Sequence, residues 1–248
     1  MTQTSPAPAL GIRFATDRLG GPVEWLLEGP EPHMILTGAT GMGASSTARV
    51  VAAGAARMGM DVRFCAVKVF GASELKGVPG ITVAAGLAES AGLIGRTWAD
   101  MCQRRAPAEA AACNAETPRR IVLIIDDFTL LDLDLNDICR EERPSPVTRQ
   151  LGQLLMASHA AAINLLLIGH AVLAAVTLGD LAVQKCGTRA ALGRVGGESA
   201  RLLFGDEAAP SDCNDRTPGT GVVLTPAGTP RSAVMLDPSP GRPRSPAT

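Results

Sequence analysis

The 248-residue sequence predicts an α/β fold: a mainly parallel sheet flanked by helices, with a C-terminal β-hairpin. Two observations indicate this fold. Short apolar runs alternate with segments of helical periodicity, which is the order of elements that builds a parallel sheet covered by helices. The composition, with 46% hydrophobic residues, supports a folded core and excludes a wholly disordered or collagen-like chain.

Five apolar runs are predicted as sheet strands, at 33–37, 62–67, 121–125, 165–168 and 189–192. Helices fit the segments 45–58, 87–104, 147–161 and 198–204. In the first helix, apolar residues recur at steps of three and four and give one apolar face: Ala48, Val51, Ala52, Ala55 and Met58. The later runs 221–224 and 232–235 flank a turn with Pro and Gly, and they predict the terminal hairpin.

The stretch 163–183 is about as apolar as a membrane span, which needs about 20 mostly apolar residues. It carries the polar residues Asn164, His170 and Asp180, which are costly at membrane depth. We therefore predict a buried strand followed by a loop and a helix in this stretch rather than a span.

The charge balance predicts no global attraction to nucleic acid or to acidic lipid. The formal net charge is −1, so any such binding needs a local patch. The only three lysines are Lys68, Lys76 and Lys185. The six cysteines show no zinc-ligand or C-x-x-C spacing, and residues 1–10 lack the basic and apolar regions of a signal peptide. We expect reduced thiols and a cytoplasmic protein.

The strand 33–37 is followed by a glycine-rich segment that leads directly into the helix 45–58. Its spacing matches the phosphate-binding loop G-x-x-x-x-G-K-[ST], in which backbone N–H groups and the helix dipole bind phosphate. Ala44 stands where the pattern has Lys, so a charge that meets the terminal phosphates is missing. A simple glycine turn is the alternative. The predicted nucleotide-binding residues are Gly38, Ala39, Thr40, Gly41, Met42, Gly43, Ala44, Ser45 and Ser46.

The apolar strand 121–125 ends in two acids, Asp126 and Asp127. A carboxylate at the end of a buried strand is typical of a Mg²⁺ site, so we predict that Asp126 and Ser45 hold Mg²⁺ beside bound ATP. Asp127 takes the place of a water-activating base, although it is one methylene shorter than the usual Glu. His170, after the strand 165–168, is predicted to face the same cleft, as a plain polar residue or as a general base.

Six segments resemble, in order, the motor domain of FtsK/SpoIIIE-type DNA translocases, and the actinobacterial and conjugative-element members look nearest. The segments carry the family's Pro-His strand and loop, its Lys and Gly-x-Pro region, its acidic strand, its helix-to-strand passage, its Thr-Arg strand with a Ser-Arg helix, and its closing Pro-Gly strand. They lie at 32–43, 68–79, 121–128, 160–168, 187–205 and 218–223.

The resemblance implies a RecA-like P-loop NTPase domain over 23–236, preceded by an N-terminal extension at 1–22. The Pro- and Ser-rich segment 237–248 is predicted to be a disordered tail. The family forms rings that pull double-stranded DNA through a pore. The resemblance therefore implies self-association, or assembly with an active homologue, and double-stranded DNA bound without sequence specificity. Nothing resembles the family's winged-helix module or membrane anchor.

The departures from the family pattern fall on catalytic positions. His159 stands where the family has an arginine expected to act across the subunit boundary. Together the departures predict a pseudo-ATPase or a very slow ATPase. They lie at Ala44, Ala66-Val67, Asp127, His159 and the segment 168–171.

Two alternatives stay open. One is a scaffold or regulatory partner of a DNA-handling complex that binds no nucleotide. The other is an active ATP-dependent translocase with an unusual cation, for which Arg49 and Lys68 are the candidates, although helical geometry points Arg49 away from the loop.

The charged surface gives mixed expectations for DNA. The acidic segment 132–142 would repel DNA if it faced a pore, and we interpret it as a solvated face. Five arginines could form a basic patch: Arg96, Arg104, Arg105, Arg119 and Arg120.

Overall fold

The computed structural model describes residues 10–68, 72–110, 118–138, 144–169, 178, 184–205, 217–226 and 228–238. The described residues form ten strands: β1 (Gly11–Asp17), β2 (Pro22–Leu26), β3 (Met34–Gly38), β4 (Asp61–Ala66), β5 (Ile81–Ala85), β6 (Ile121–Asp126), β7 (Ile163–Ile168), β8 (Thr188–Leu192), β9 (Thr220–Leu224) and β10 (Arg231–Met235). They also form five α-helices: α1 (Ala44–Arg57), α2 (Leu87–Ala110), α3 (Phe128–Ile138), α4 (Pro146–Ala157) and α5 (Gly197–Phe204).

One sheet contains all of these strands, in the order β2-β1-β10-β9-β8-β3-β7-β6-β4-β5. The strands from β8 to β5 in this order pair in parallel. The remaining pairs are antiparallel and include the hairpin of β9 and β10. The predicted parallel sheet, its flanking helices and the C-terminal hairpin are therefore confirmed.

The sheet separates two hydrophobic clusters. In β6, Ile121, Leu123 and Ile125 join one cluster, whereas Val122 and Ile124 join the other, because successive side chains of a strand point to opposite faces. Helices α2 to α5 pack on the first face and α1 packs on the second, where its apolar side chains share a cluster with those of β1 and β2. Since both faces are covered, the central strands are apolar at nearly every position.

The four predicted helices begin within one residue of their predicted starts. α4 begins at Pro146 after Ser145, whose hydroxyl accepts a hydrogen bond from the Thr148 N–H at 3.1 Å. Its predicted last turn is a separate 3₁₀ turn, Ser158–Ala161. The predicted face of α1 is buried except at Met58, which lies at the helix end with 44% of its surface exposed. The expectation that Met58 belongs to the buried face is wrong.

Four elements lie outside the predicted set: β1, β2, β5 and α3. β1 falls within the segment assigned to an N-terminal extension, yet it pairs with β10 and β2 of the same sheet. A register shift between Arg13 and Ala15 interrupts its alternation, so no clean period of two marks it in the sequence. α2 ends at Ala110, six residues past its predicted end at 104. The division of the chain into domains stays a prediction.

The apolar stretch 163–183 begins with β7, which is buried at every position, so the predicted strand is confirmed. Most of its predicted loop and helix, including His170, lies outside the described residues, as do the tail residues 239–248. Within the described part of the chain, no helix is long and apolar enough to cross a membrane. Three cysteines there, Cys65, Cys102 and Cys186, are free thiols.

Candidate functional site

The predicted site residues follow three strands that end at the same edge of the sheet. The glycine-rich loop follows β3, Asp126 ends β6, and Lys68 lies two residues after β4. β7 lies between β3 and β6, and β4 pairs with the other side of β6. Ligands of open α/β sheets bind at this carboxyl edge. The fold therefore brings the loop, the two acids and one lysine to the place where a nucleotide would bind.

The loop between β3 and α1 is a tight turn that contains two left-handed glycines. Gly41 and Gly43 adopt left-handed conformations, with φ of 83° and 100°, which residues with a Cβ rarely adopt. The Met42 N–H donates to the Ala39 carbonyl at 3.1 Å, and this bond closes the turn. Gly43 is the N-cap of α1. The first N–H groups of the helix lack intrahelical partners and, together with the helix dipole, favour a bound anion.

Ala44 occupies the first position of α1, where the pattern has Lys. Its methyl group packs against the hydrophobic cluster on the α1 side of the sheet. Residue 44 therefore contributes backbone to the loop but neither a charge nor a side-chain donor. In the same turn the Ser46 hydroxyl accepts a hydrogen bond from the Arg49 guanidinium at 3.1 Å.

Asp126, at the end of β6, contacts Ser45, at the start of α1. The Ser45 hydroxyl donates to Asp126 Oδ1 at 3.0 Å, and only 8% of Asp126 is exposed. Burial raises the pKa of Asp126, and the neighbouring charge of Asp127 adds to that rise. The Ser45 hydrogen bond and the positive charges of Arg49 and Lys68 oppose it. A divalent cation at this carboxylate would offset the cost of its burial.

Asp127 is held by two contacts that the sequence did not predict. Its φ of 71° is left-handed, and its Oδ1 accepts a hydrogen bond from the Leu130 N–H at 3.2 Å, so it caps α3. Its Oδ2 lies 2.5 Å from Lys68 Nζ. This carboxylate, predicted as the water-activating base, therefore has a partner on each oxygen.

The loop is also supported by chain segments far away in sequence. The Gly219 N–H donates to the Met42 carbonyl at 2.9 Å. A Cβ on Gly193 would lie 2.6 Å from Met42 Sδ, so the absence of a side chain there lets the loop approach β8. Sequence reasoning assigned no role to these glycines, although both lie in segments that carry the family resemblance.

Ser45, Asp126 and the loop backbone are the groups that would hold a Mg²⁺-nucleotide, whereas Ala44 lacks the cation of the pattern. The Ser45 hydroxyl and the Asp126 carboxylate are the hard oxygen ligands that Mg²⁺ takes together with phosphate and water. A Cβ on Gly41 would meet nothing within 4 Å, so the space beside this glycine is open. Among the described residues, no group of three His, Cys, Asp or Glu side chains could hold a metal by itself. His170 lies outside the described residues, and its predicted role stays a prediction.

Three of the five arginines in the predicted basic patch bind backbone carbonyls of the fold. Arg104 donates to the Ala161 carbonyl at 2.9 Å, Arg119 to the Gly59 carbonyl at 2.7 Å and Arg120 to the Leu27 carbonyl at 3.1 Å. Arg119 and Arg120 precede β6, so they lie at the edge of the sheet opposite the loop. These three arginines hold elements of the fold together.

The acidic segment after β6 is only in part a solvated face. Residues up to 138 form α3, and Asp132 is buried and accepts a hydrogen bond from the Thr148 hydroxyl at 3.2 Å. The same helix exposes Leu133 and Ile138. One of its acids therefore supports the packing of α3 on α4.

Comparison with solved structures assigns the fold. No protein-family model and no curated protein matches the chain. The chain is similar to the pCW3 conjugation coupling protein TcpA, in its monomer form with ATPγS, with a TM-score of 0.70 and 14% identity over 96% of this chain and 69% of that one. It is similar to VirB4 of Thermoanaerobacter pseudethanolicus, with a TM-score of 0.56 and 12% identity over 93% of this chain and 96% of that one.

The cytoplasmic domain of the type VII secretion ATPase EccC from Thermomonospora curvata is also similar, with a TM-score of 0.65 and 16% identity over 94% of this chain. The chain spans only 29% of that protein's length. These likenesses confirm the RecA-like P-loop NTPase fold and, at the level of fold, the resemblance to an FtsK/SpoIIIE-type motor domain.

Proposed function

We propose that the chain is a motor-type P-loop subunit that binds Mg²⁺ and nucleotide but hydrolyses ATP very slowly or not at all. The observation that carries the proposal is the capping of α3 by Asp127, whose Oδ1 accepts a hydrogen bond from the Leu130 N–H. A general base must be free to accept a proton from its water. A carboxylate that caps a helix and is one methylene shorter than Glu is poorly placed for that task, whether or not Lys68 pairs with it.

The loop supports the binding half of the proposal. Gly41 and Gly43 have the left-handed conformations that turn backbone N–H groups towards an anion, and Ser45 contacts Asp126 directly. Ala44 supports the catalytic half, because a missing loop cation weakens the stabilisation of charge on the transferred phosphoryl group. Nucleotide binding by the neighbours is documented for TcpA and for the packaging NTPase B204, each solved with ATPγS.

Titration of ATPγS and measurement of ATP turnover test this proposal together. We expect ATPγS to bind more tightly with Mg²⁺ than without it, and Asp126→Ala to remove that difference. We expect kcat to stay far below about 1 s⁻¹, the low end of ordinary enzymes. A higher kcat that Asp126→Ala abolishes would instead establish an active ATPase. Failure of ATPγS to bind at any concentration would favour a scaffold that binds no nucleotide.

We also propose that the chain acts in the cytoplasm by assembling with itself or with an active homologue. Its structural neighbours come from different systems. TcpA is a conjugation coupling protein, whereas EccC has been solved with a signal-sequence peptide. Double-stranded DNA bound without sequence reading is the expected substrate of the assembly, directly or through its active partner. The engagement of Arg104, Arg119 and Arg120 in the fold favours the indirect route.

Size-exclusion chromatography with and without double-stranded DNA tests this second proposal. We expect self-association, or assembly after addition of an active homologue, and only weak DNA binding by the chain alone. Direct binding would decrease steeply as salt is raised, since phosphate contacts release counterions. A monomer under all of these conditions would contradict the proposal.

A further inference from the structure

Lys68 places an exposed positive charge beside the two acids of the candidate site. It follows β4, whose residue Ala66 is in register with Asp126 of β6. Its Nζ lies 2.5 Å from Asp127 Oδ2, and 70% of its side chain is exposed. Exposed ion pairs of this kind contribute little to stability, so Lys68 can leave Asp127 at small cost.

Lys68 also lies close to the acid that contacts the loop. Its partner Asp127 directly follows Asp126 in the chain, and Ala66, two residues before Lys68, is in register with Asp126. Asp126 accepts the hydrogen bond from Ser45 at the start of α1. A terminal phosphate sharing a cation with Ser45 and Asp126 would therefore lie close to Lys68.

Arg49, the other candidate cation, is less available. Its guanidinium donates to the Ser46 hydroxyl, and its Nε lies 3.8 Å from Glu74 Oε2. Its side chain is 22% exposed, against 70% for Lys68. Lys68 is therefore the better candidate to swing towards a ligand.

We propose that Lys68 supplies the positive charge for the terminal phosphate of a nucleoside triphosphate that residue 44 does not supply. The inference rests on the proposed binding of nucleotide by this site. When a triphosphate binds, Lys68 exchanges Asp127 for the terminal phosphate, whereas a diphosphate leaves the Lys68–Asp127 pair in place. The site therefore binds a triphosphate more tightly than a diphosphate, because only the terminal phosphate contacts Lys68. In the usual phosphate-binding loop, the loop lysine makes this contact.

Equilibrium binding of Mg²⁺-ATPγS and Mg²⁺-ADP to variants of the full chain tests the exchange. Lys68→Gln is expected to weaken ATPγS binding by about tenfold or more, as for loss of a charged hydrogen bond, and to change ADP binding much less. Lys76→Gln is the matched control, because Lys76 is an exposed lysine eight residues away, at the C-cap of a 3₁₀ turn. It should leave both affinities unchanged.

Asp127→Asn should change the affinity for ATPγS in the opposite direction to Lys68→Gln. Asn still accepts the Leu130 N–H and tolerates the left-handed backbone, so α3 keeps its cap. Removal of the competing charge should raise the affinity for ATPγS and leave ADP binding nearly unchanged. Ala44→Lys should restore ATPγS binding to Lys68→Gln, since it returns a cation to the phosphates by another route.

The outcomes separate this inference from the proposed function. If the wild-type chain binds neither nucleotide, both the proposed function and the proposed role of Lys68 are wrong. If the wild type binds ATPγS and Lys68→Gln changes ATPγS and ADP binding equally, or not at all, only the role of Lys68 is overturned. Thermal unfolding without nucleotide should be nearly the same for all the lysine variants, because both lysines are exposed.

Discussion

The Ser45 hydroxyl donates a 3.0 Å hydrogen bond to Asp126 Oδ1, and this contact joins two chain segments that are 81 residues apart. The fold produces it because β3, which leads into the loop, and β6, which ends in Asp126, are separated only by β7. The hydroxyl and the carboxylate are thus neighbours, and both are oxygen groups of the kind that Mg²⁺ binds.

Asp126→Asn should uncouple Mg²⁺ from nucleotide binding without unfolding the protein. The amide keeps an oxygen that accepts the Ser45 hydroxyl hydrogen bond. It also removes the buried negative charge, and burial of this charge is unfavourable, as the raised pKa of Asp126 indicates. We expect the free energy of unfolding without Mg²⁺ to be unchanged or higher. We expect ATPγS to bind equally with and without Mg²⁺. A large loss of stability, measured by urea unfolding, would mean that Asp126 is required for the fold itself.

Ala44→Lys should raise nucleotide affinity more than it raises turnover. A lysine at the first position of α1 would add a charged contact to the terminal phosphates, and such contacts correspond to roughly tenfold or more in affinity. Asp127 would still cap α3 through Leu130, so ATP hydrolysis should remain slow. ATPγS titration and a steady-state hydrolysis assay measure the two effects. Full turnover in this single variant would show that the missing lysine is the only catalytic defect.

The sequence predicted the parts of the site that depend on local pattern. The loop, the helix after it and the strand ending in Asp126 each have a signature within about ten residues, and each lies where it was predicted. The sequence did not predict the Lys68–Asp127 pair, because it depends on the register between β4 and β6. It did not predict β1 either, since its register shift hides the alternation of a strand.

Gly43→Ala should destabilise the protein and weaken nucleotide binding together. Gly43 caps α1 with φ of 100°, and the left-handed region costs an L-residue about 1–2 kcal/mol. Gly152→Ala is the control of opposite sign. Gly152 lies inside α4 with open space around its Cβ position, so Ala should stabilise the helix by roughly 0.5–1 kcal/mol. Urea unfolding of both variants measures these changes, and equal effects would contradict the assigned backbone role of Gly43.

The buried His33 should make stability depend on pH between about 4 and 6.5. Its Nδ1 accepts the Leu165 N–H at 3.2 Å, and this bond requires the neutral ring, because a protonated Nδ1 cannot accept. Its Nε2 donates to the Leu155 carbonyl at 3.0 Å. Burial lowers the pKa of His33 from 6.5 to about 4. The folded state therefore binds this proton more weakly than the unfolded state does.

This pKa difference makes the contribution of His33 fully present above about pH 6.5, and it is lost as the pH falls towards 4. The free energy of unfolding should fall by on the order of 3 kcal/mol, because the pKa values of the unfolded and folded states differ by about 2.5 and each pKa unit corresponds to about 1.36 kcal/mol. Urea unfolding at pH 7.5, 5.5 and 4.5 measures it. His33→Gln should be less stable at pH 7.5 and should lack most of this slope, whereas His159→Gln, at an exposed position, should keep it. A slope that survives in His33→Gln would assign the pH dependence to other groups.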